Sequence, residues 1–421
     1  MTDPYRENLW ELFSAGGRVS PQKIVETNLR ASRGSLINRP LAGPRALPNF
    51  DGLVFHIAQL ETLPTPQEVP IDLRVRLGKR ARRPLDLEIP LIIGGMAYGL
   101  ALNEKTKIAL ARAATAAGTA TNTGEGPWLP AERRAAQRLI VQYARGKWSK
   151  DPEHLKQADM IEIQLGHGAW AGLGHVTAAR EMTAKARRLA GLRPGEDAVV
   201  PARLPDITKP GSLRHLVDYL RALSGGVPIG VKIGAGKYLE RDLAHLVAAG
   251  VDVIAVDGAQ GATRGSPPII QDDFGLPTVY ALVRAQRFLR ERGARDRVSL
   301  VIGGGLFTPG DFLKALALGA DAVYLGTIAL FALTHTQALH VLPWEPPTEL
   351  VFESGRYRNR LSVGQAARHL ANYLQAAAAE MAEGIRALGK TSVAELGPED
   401  LMALDPVTAE ATGIALAYRP P

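Results

Sequence analysis

Short, almost entirely apolar runs alternate with longer amphipathic stretches across the middle of the chain. Each run is rich in β-branched residues and ends near a Gly- or Asn-rich turn. Runs of this kind are typical of strands that are buried on both faces of a parallel sheet. We count eight: PLIIGG (90–95), TATNT (119–123), LIVQYA (139–144), IEIQL (161–165), IGVKI (229–233), VIAVDG (253–258), LVIGGG (300–305) and AVYLGT (322–327).

The segments between these runs have helical periodicity. They include EKTKIALARAATAAG, LERDLAHLVAAG and PGDFLKALALGA, and the glycine near the end of each is suited to a helix C-cap. Further helices are predicted outside the repeating region, at 5–14, 21–32 and 363–388. Eight strand–helix units predict an α/β fold, a closed TIM (β/α)₈ barrel, with a doubly wound open sheet as the alternative.

The two flanks of the repeating region have a different character. Residues 1–89 are Pro-rich and irregular, and residues 340–421 open with LPWEPPTELVF before a long helical run. Neither flank has enough periodic apolar content to predict an independent domain. We therefore expect an N-terminal extension (1–89) and a C-terminal helical extension (340–421) that pack on a barrel formed by 90–339.

Composition excludes several kinds of chemistry. The chain of 421 residues contains no cysteine, which excludes disulfides, thiolate metal sites, cysteine nucleophiles and cysteine-ligated iron–sulfur clusters. No His/Asp/Glu cluster has metal-ligand spacing, so no metal site is predicted. The N-terminus does not read as a signal peptide, and no apolar run reaches the roughly 20 residues that span a bilayer. We expect a cytoplasmic protein without a membrane partner.

The net charge of +8 bears on the possible ligands. Aromatic residues are not interleaved with the basic ones and no known nucleic-acid module is recognisable, so we expect no nucleic-acid partner. A basic excess also suits a dianionic small molecule. The sign of the charge therefore agrees with a phosphate-bearing ligand.

Glycine-rich turns follow the last two predicted strands. In a barrel of this type the active site lies at the carboxyl ends of the strands, and a ligand phosphate commonly rests on the loops after strands seven and eight. The candidate phosphate ligands are the backbone at Gly303, Gly304, Gly305 and Gly326, with Thr327 as a hydroxyl donor. The alternative is that these glycines only form tight turns.

Other strand ends carry candidates for the rest of such a ligand. The small residues of GGMAYG (94–99) would let a flat flavin ring lie against backbone amides. Lys232 lies in an otherwise apolar strand and is costly to bury without an anionic partner. Beside the N1–C2 carbonyl edge of a flavin it would stabilise the reduced ring; the alternative is a salt bridge to a carboxylate such as Asp257. Asp257 and Gly258 open a loop suited to ribityl hydroxyls or substrate.

An ordered set of motifs resembles a known family. The motifs are IIGGMAYG, TNTGEGP, IEIQLGHGAWAGLGH, VKIGAG, DGAQGATRGSP and VIGGGL…GAD…LGT. In this order they resemble the FMN-binding synthase domain of glutamate synthases, and above all the short stand-alone flavoproteins of that family, among them N-methylglutamate synthase subunits. The resemblance covers most of residues 50–421. It implies a TIM barrel with FMN at the carboxyl end, and hydride transfer from flavin N5 to an imine formed from a 2-oxo acid and an amine.

The resemblance also implies roles for individual residues. Glu125 corresponds to an active-site glutamate that would hold an iminium cation or relay a proton; a helix-cap carboxylate is the alternative. His175 lies near a histidine of some short members, and we group it with Glu125 and Lys232 as catalytic. The remaining positions are Gly95, Met96 and Ala97 facing the flavin ring, Asn122 and Thr123 bonding flavin or substrate, and Gln164 in place of a family lysine near the ring.

The chain departs from the family pattern in three ways. The cysteines that hold a three-iron, four-sulfur cluster in the larger enzymes are absent, and so is a glutaminase domain. Electrons would then reach FMN from a diffusible donor or a partner subunit. Trp170 stands where the family has a lysine for the carboxylates of 2-oxoglutarate, or it is ordinary loop packing, and Arg187 loosely matches a family arginine that reaches substrate. A substrate other than 2-oxoglutarate is therefore an open alternative.

Three functions remain in view at this point. The first is an FMN-dependent oxidoreductase acting on a C–N bond. The second is an FMN enzyme of other chemistry, such as an isomerase or a 2-hydroxy-acid oxidase. The third is a flavin-binding subunit or sensor without turnover of its own, for which an electron-donor or amidotransferase-type partner subunit is expected. We also expect a homo-oligomer and a small-molecule substrate.

Overall fold

A computed structural model describes residues 17, 19–39, 45–170, 172–209, 211–261, 266–341 and 346–419. The helix predicted at 5–14 lies outside these residues. Eight strands form one parallel sheet: β4 (Leu91–Ile93), β5 (Thr121–Asn122), β6 (Leu139–Tyr143), β7 (Met160–Gln164), β10 (Ile229–Gly234), β11 (Val253–Asp257), β12 (Ser299–Gly303) and β13 (Ala322–Leu325). Their order across the sheet is β4-β13-β12-β11-β10-β7-β6-β5.

All eight apolar runs of the sequence form strands of this sheet, so the predicted strands are confirmed. Parallel pairing continues from β5 round to β4, with Tyr324 of β13 opposite Ile92. The Ile93 amide also donates to the Ala120 carbonyl, 3.0 Å away, which joins the first two strands of the barrel. The sheet is therefore nearly closed, and the predicted TIM-barrel fold rather than the open sheet is observed.

Helices surround the barrel. Over the described residues they are α1 (Pro21–Arg33), α2 (Glu104–Ala116), α3 (Pro130–Ala135), α4 (Pro152–Leu155), α5 (Ala184–Leu189), α6 (Ser212–Leu223), α7 (Leu239–Ala249), α8 (Pro268–Asp273), α9 (Thr278–Glu291), α10 (Pro309–Ala317), α11 (Thr327–Thr334), α12 (Pro346–Val351), α13 (Val363–Ala387) and α14 (Pro406–Thr412). The helices predicted at 21–32 and 363–388 are confirmed to within a residue. Gly250 ends α7 in a left-handed conformation (φ 79°), as its predicted C-cap role requires.

Three small antiparallel pairs accompany the barrel. They are β1 (Leu53–Phe55) with β14 (Leu401–Ala403), β2 (Val75–Leu77) with β3 (Leu85–Leu87), and β8 (His175–Thr177) with β9 (Ala198–Val200). The first pair joins the N-terminal and C-terminal flanks. The last lies in the connection between β7 and β10, where the sequence had predicted no strand.

The core has two parts, one inside and one outside the barrel wall. Inside, leucines of the β2–β3 pair cluster with inward-facing residues such as Ile92, Met160 and Val253. This hairpin fills the amino-terminal end of the barrel. Outside, the helices cover the outward faces, with α13 packed on α2. In the part of the chain that the structure describes, the carboxyl end of the barrel opens into a cavity.

Within the described ranges, no helix combines the length and the apolar character that a membrane span requires.

Candidate active site

A cavity of about 880 Å³ lies at the carboxyl ends of the barrel strands. Fourteen of the predicted site residues line it. They are Gly95, Met96, Ala97, Glu125, Gln164, Trp170, His175, Lys232, Asp257, Gly303, Gly304, Gly305, Gly326 and Thr327. Residues chosen from separate motifs are thus brought to one place, although their roles stay predictions.

Four predicted site residues do not line the cavity. Asn122 and Thr123 are buried behind it, and their side chains bond to Glu162 and to the Gly124 carbonyl respectively. Gly258 packs against Thr278, so that a Cβ there would lie 2.1 Å from Oγ1 of the threonine. Arg187 donates to the Ala179 carbonyl at 2.7 Å. None of these four residues lines the cavity, and their predicted ligand contacts stay predictions.

Glu125 holds its carboxylate among side chains rather than at a helix start. Its Oε1 lies 2.8 Å from His175 Nε2, and its Oε2 lies 3.6 Å from Arg145 Nη2. Gln164 Nε2 approaches Oε2 at 3.4 Å. These contacts do not match the helix-cap alternative, because the carboxylate faces a histidine and a guanidinium. They place it in a charged cluster at the cavity wall.

The ionisation of this cluster follows from its contacts. Burial works to raise the pKa of Glu125, but the hydrogen bond with His175, followed by the positive charges that His167, His175 and Arg145 can carry, lowers it to about 2. The carboxylate is therefore ionised and only accepts hydrogen bonds, so Nε2 of His175 carries a proton. The burial of Arg145 lowers the pKa of its guanidinium, which the charge of Glu125 opposes.

His167, which the sequence analysis did not select, also lines the cavity. Its Nδ1 lies 2.7 Å from Gln164 Nε2, and since an amide nitrogen only donates, Nδ1 is the acceptor. Burial lowers the pKa of His167 to about 4. The ring of His167 is therefore neutral near pH 7.

Some buried polar atoms near the cavity have no hydrogen-bond partner among the described residues. They include Oε1 of Gln164 and Nη2 of Arg145. A buried polar atom without a partner is costly, and native proteins usually satisfy it with water or a ligand. The Gln164 carbonyl, which belongs to a residue lining the cavity, is thus available to a bound molecule.

Trp170 lies in a short 3₁₀ helix (Gly168–Trp170) beside the same cluster. Its Nε1 donates to the Leu173 carbonyl at 2.6 Å, and its ring meets His175 edge-on with 5.8 Å between centroids. The indole therefore both packs the loop and lines the cavity.

A second buried carboxylate, Glu162, lies in the centre of the barrel. It accepts hydrogen bonds from Asn122 and Gln142, each at 2.8 Å, and from the Tyr324 hydroxyl at 2.5 Å. These partners come from β5, β6 and β13, so one carboxylate joins four strands below the cavity. Burial, reinforced by the charge of Glu162, raises the pKa of Tyr324 and keeps it a donor.

Lys232 forms the salt bridge that the sequence analysis kept as an alternative. Its Nζ lies 3.0 Å from Asp257 Oδ2 on the neighbouring strand, and both residues line the cavity. Burial disfavours the charged lysine, but the carboxylates of Asp257 and Glu162 outweigh burial and raise its pKa. The ammonium of Lys232 thus stays charged at the cavity wall. It could contact a ligand there in addition to Asp257.

The turns after β12 and β13 face the cavity with different helix starts. The first amides of α10 are satisfied by its own side chains: the Thr308 hydroxyl accepts from the Asp311 amide, and Asp311 accepts from the Thr308 amide. Helix α11 begins after Gly326 without any side-chain cap. Among the described residues, the amides of Gly304, Gly305, Thr327 and Ile328 have no acceptor.

The glycines of the turn after β5 are required by a close approach of two backbone segments. A Cβ on Gly124 would lie 2.6 Å from the Ala97 nitrogen, and a Cβ on Gly126 would lie 2.4 Å from the Tyr98 carbonyl oxygen. The contact that requires glycine is with the turn after β4.

The sequence analysis missed five polar residues of the site: Gln142, Arg145, Glu162, His167 and Tyr324. A signal existed for two of them. Gln142 and Glu162 interrupt apolar strands just as Lys232 does, and the cost of burial that singled out the lysine applies to them equally. For the other three, no local pattern shows what they would face.

Among the described residues, no group of three or more His, Cys, Asp or Glu side chains could hold a metal ion.

Comparisons with known proteins agree with the fold and the motifs. Solved structures of similar fold include a mutant of an active chimera of (S)-mandelate dehydrogenase (TM-score 0.56, 17% identity, 84% of this chain and 88% of that one). Another is a mutant flavocytochrome b2 with benzoylformate (TM-score 0.51, 18% identity, 88% and 80%). At such identities the likeness is one of fold.

Relatives in sequence are more informative. A glutamate synthase large subunit-like protein of Rhizobium meliloti is 35% identical over 93% of this chain and 92% of its own length. An archaeal-type glutamate synthase (NADPH) of Thermotoga neapolitana is 31% identical over 90% of this chain and 78% of its own length. Residues 55–391 match the conserved region in glutamate synthase. The chain belongs to the glutamate synthase family.

Proposed function

We propose that this protein is an FMN-dependent oxidoreductase that reduces an imine of a 2-oxo acid and an amine. One observation carries the proposal: backbone amides without an acceptor and an ionised Glu125 that is hydrogen-bonded to His175 line one cavity on opposite sides of the barrel. Strands β12 and β13 lie across the barrel from β6 and β7 in the strand order. A ligand with an anionic tail and a reacting centre would fit between them.

The side formed by the turns after β12 and β13 fits the FMN phosphate. Its amides at Gly304, Gly305, Thr327 and Ile328 have no acceptor in the described part of the chain. The positive end of helix α11 points the same way, which favours an anion. No described atom lies within 4 Å of a Cβ built on Gly326, so there is space for a phosphate at that glycine.

The flavin ring would lie between the turn after β4 and Lys232. Gly95, Met96 and Ala97 line that part of the cavity, and the unpaired Gln164 carbonyl could accept a hydrogen bond from the ring. The charged Lys232 would favour an electron-rich ring. Bound FMN would supply a hydride from N5 to the carbon of a C=N bond.

The chain's own contribution to the reaction would come from Glu125 and His175. Because the pKa of Glu125 is about 2, its carboxylate has no proton to give near neutral pH. It would instead attract an iminium cation and stabilise it beside the ring. The Nε2–H of His175, which donates to the carboxylate at 2.8 Å, would hold it towards the iminium, and hydride addition to this cation gives the neutral amine without a further proton.

A substrate less polar than 2-oxoglutarate is favoured by Trp170. Its buried indole lines the cavity and contacts His175, and it cannot pair with a carboxylate as an ammonium would. We therefore propose a 2-oxo acid imine with a smaller or more apolar side chain.

A second candidate is a subunit that turns over only with a partner. The relative from Rhizobium meliloti is named a large subunit-like protein, which favours a separate chain that supplies electrons or nitrogen. Copurification with a second protein, and turnover only in its presence, would favour this candidate.

The proposal is tested by flavin binding followed by reoxidation. The purified protein should absorb as a flavoprotein or bind added FMN. After anaerobic reduction by dithionite or NADPH, mixing with 2-oxo acids and ammonium or methylamine should reoxidise it in a stopped-flow record. Glu125→Gln should slow this reoxidation by about a hundredfold and leave the FMN dissociation constant unchanged.

Two results would contradict the proposal. A protein that binds no FMN would remove its basis. Turnover of a substrate without any change in flavin oxidation state would favour isomerase chemistry instead.

A further inference from the structure

Lys107 on helix α2 is fully buried and lies outside the cavity. It donates hydrogen bonds to the backbone of the turns after β4 and β5, which lie beside the cavity. Its Nζ donates to the Met96 carbonyl at 2.8 Å and to the Asn122 carbonyl at 2.9 Å, with the Thr123 carbonyl at 3.3 Å. Glu132 of α3 lies 2.9 Å away as its counter-ion. Neither Lys107 nor Glu132 lines the cavity.

Holding the Met96 carbonyl fixes the direction of the next amide. A trans peptide is planar, and its C=O and N–H point in opposite directions. With the carbonyl turned outward to Lys107, the Ala97 N–H is directed away from the lysine. Met96 and Ala97 line the cavity, and no acceptor for the Ala97 amide occurs among the residues described. The peptide thus presents a free donor on the cavity side.

The same peptide is held from a third direction. A Cβ built on Gly124 would lie 2.6 Å from both the Met96 carbonyl carbon and the Ala97 nitrogen, so the Gly124 backbone lies across the face of this peptide. Lys107 also holds the turn after β5. It donates hydrogen bonds there to the carbonyls of Asn122 and Thr123, just before Glu125. A single ammonium therefore joins the turn after β4 to the turn that carries Glu125.

We propose that Lys107 is a positioning residue, which orients the Met96–Ala97 peptide so that the Ala97 amide serves a bound ligand, and which holds the turn that carries Glu125. The identity of that ligand as FMN rests on the function proposed above. The orientation of the two turns does not.

The test uses a paired substitution, because removing one partner of a buried ion pair leaves an unpaired charge. Lys107→Met with Glu132→Gln removes both charges. The matched control is Lys390→Met with Asp400→Asn, another lysine–carboxylate pair in which Lys390 also donates to a backbone carbonyl, that of Glu395. Neither control residue lines the cavity.

Hydrogen–deuterium exchange of the ligand-free proteins gives the first readout. In the Lys107 variant, peptides covering residues 93–101 and 119–126 should exchange about tenfold faster than in the wild type. In the control variant these peptides should exchange as in the wild type. This should hold even if the melting temperature of the control variant falls by as much as that of the Lys107 variant. Unchanged exchange in both turns would overturn the proposal.

Flavin binding gives the second readout. Loss of one well-oriented donor should weaken FMN binding about tenfold in the Lys107 variant, and the reduction potential of bound FMN should fall, since ring hydrogen bonds stabilise the reduced form. Wild-type affinity and potential in a variant with loosened turns would overturn the role of the Ala97 amide. A wild type that binds no FMN would instead refute the proposed function, and exchange alone would then decide the role of Lys107.

Discussion

The two opposite sides of the cavity present different kinds of polar group. On the side of β5 to β7, Glu125, Arg145, His167 and His175 are side chains with ionisable groups. On the side of β12 and β13, the donors are backbone amides of glycine turns and of the first turn of α11. The first side contains buried ionisable side chains that are paired with one another. The second side contains backbone amides whose directions are set by the course of the main chain.

This difference predicts what each side should tolerate. A side built from buried charges should respond to pH and to the loss of any one partner, because desolvated charges are costly when unpaired. Backbone amides do not titrate, so ligand binding at the second side should depend little on these groups' response to pH. It should instead be weakened by a substitution that adds a side chain in the space next to the amides. Substitutions on the two sides should therefore alter different measured quantities.

The largest effect is expected from separating Glu125 and Arg145. The Arg145 side chain is 0% exposed and that of Glu125 is 11% exposed. Arg145→Met or Glu125→Gln leaves the other charge buried, so each should lower the free energy of unfolding by about 3–5 kcal/mol. The double variant should lose about 1–3 kcal/mol less than the sum. Urea denaturation of the four proteins checks this, and strict additivity would mean that the two charges do not interact.

The second largest effect is expected from acid, which should lower the free energy of unfolding through the buried groups of the charged side. Burial lowers the pKa of His167 to about 4, so the unfolded chain binds its proton at a higher pH than the folded protein does. Stability should then fall as the pH drops from about 6.5 to 4, by up to about 3 kcal/mol. The lowered pKa of Glu125, about 2, adds a further loss below pH 4.5. His167→Asn should flatten the upper part of the curve; an unchanged slope would exclude His167 as its source.

On the amide side, the sharpest test is added bulk. Gly326 has φ −111°, outside the left-handed region, and no described atom lies within 4 Å of a Cβ added there. Gly326→Leu should therefore leave the protein folded and weaken FMN binding about a hundredfold, or about 2.7 kcal/mol. Gly310→Leu is the matched control, because a Cβ there meets only Thr308 Oγ1 at 3.7 Å. Equal FMN affinity in both variants would place the phosphate elsewhere.

The smallest effect is expected at the capped helix of the same side. Asp311 accepts hydrogen bonds from the Phe307 and Thr308 amides. Asp311→Ala should cost about 1 kcal/mol of stability, as the loss of a helix cap does. FMN affinity should stay at the wild-type value, because α10 is closed by its own side chains. A marked gain or loss of FMN affinity would show that the two helix starts share the anion.

Much of this arrangement was predictable from sequence. The eight apolar runs indicated the strands because burial on both faces demands continuous apolar character, a local property. The glycines of the last two turns were predicted from their position, because the loops after strands seven and eight of such a barrel commonly hold a ligand phosphate. Lys232 was found because a lysine inside an apolar strand needs a partner.

Other features depended on pairing across the barrel. Whether Lys232 meets Asp257, and whether Glu162 meets Tyr324 more than a hundred residues away, is set by the register of neighbouring strands. The β8–β9 pair brings His175 back to Glu125 from a segment that had no strand signal. The capped start of α10 and the open start of α11 both follow Gly-containing turns, and only the side-chain contacts tell them apart.

The sequence by itself determined the barrel, the family and the end of the barrel at which most of the predicted site residues gather. These follow from periodicity, from turn residues and from motifs that are each contained within a few positions. The tertiary structure decided which charges are paired, which amides are free and which turns Lys107 ties together. Such contacts join residues far apart in the chain, and their distances exist only once the strands have closed.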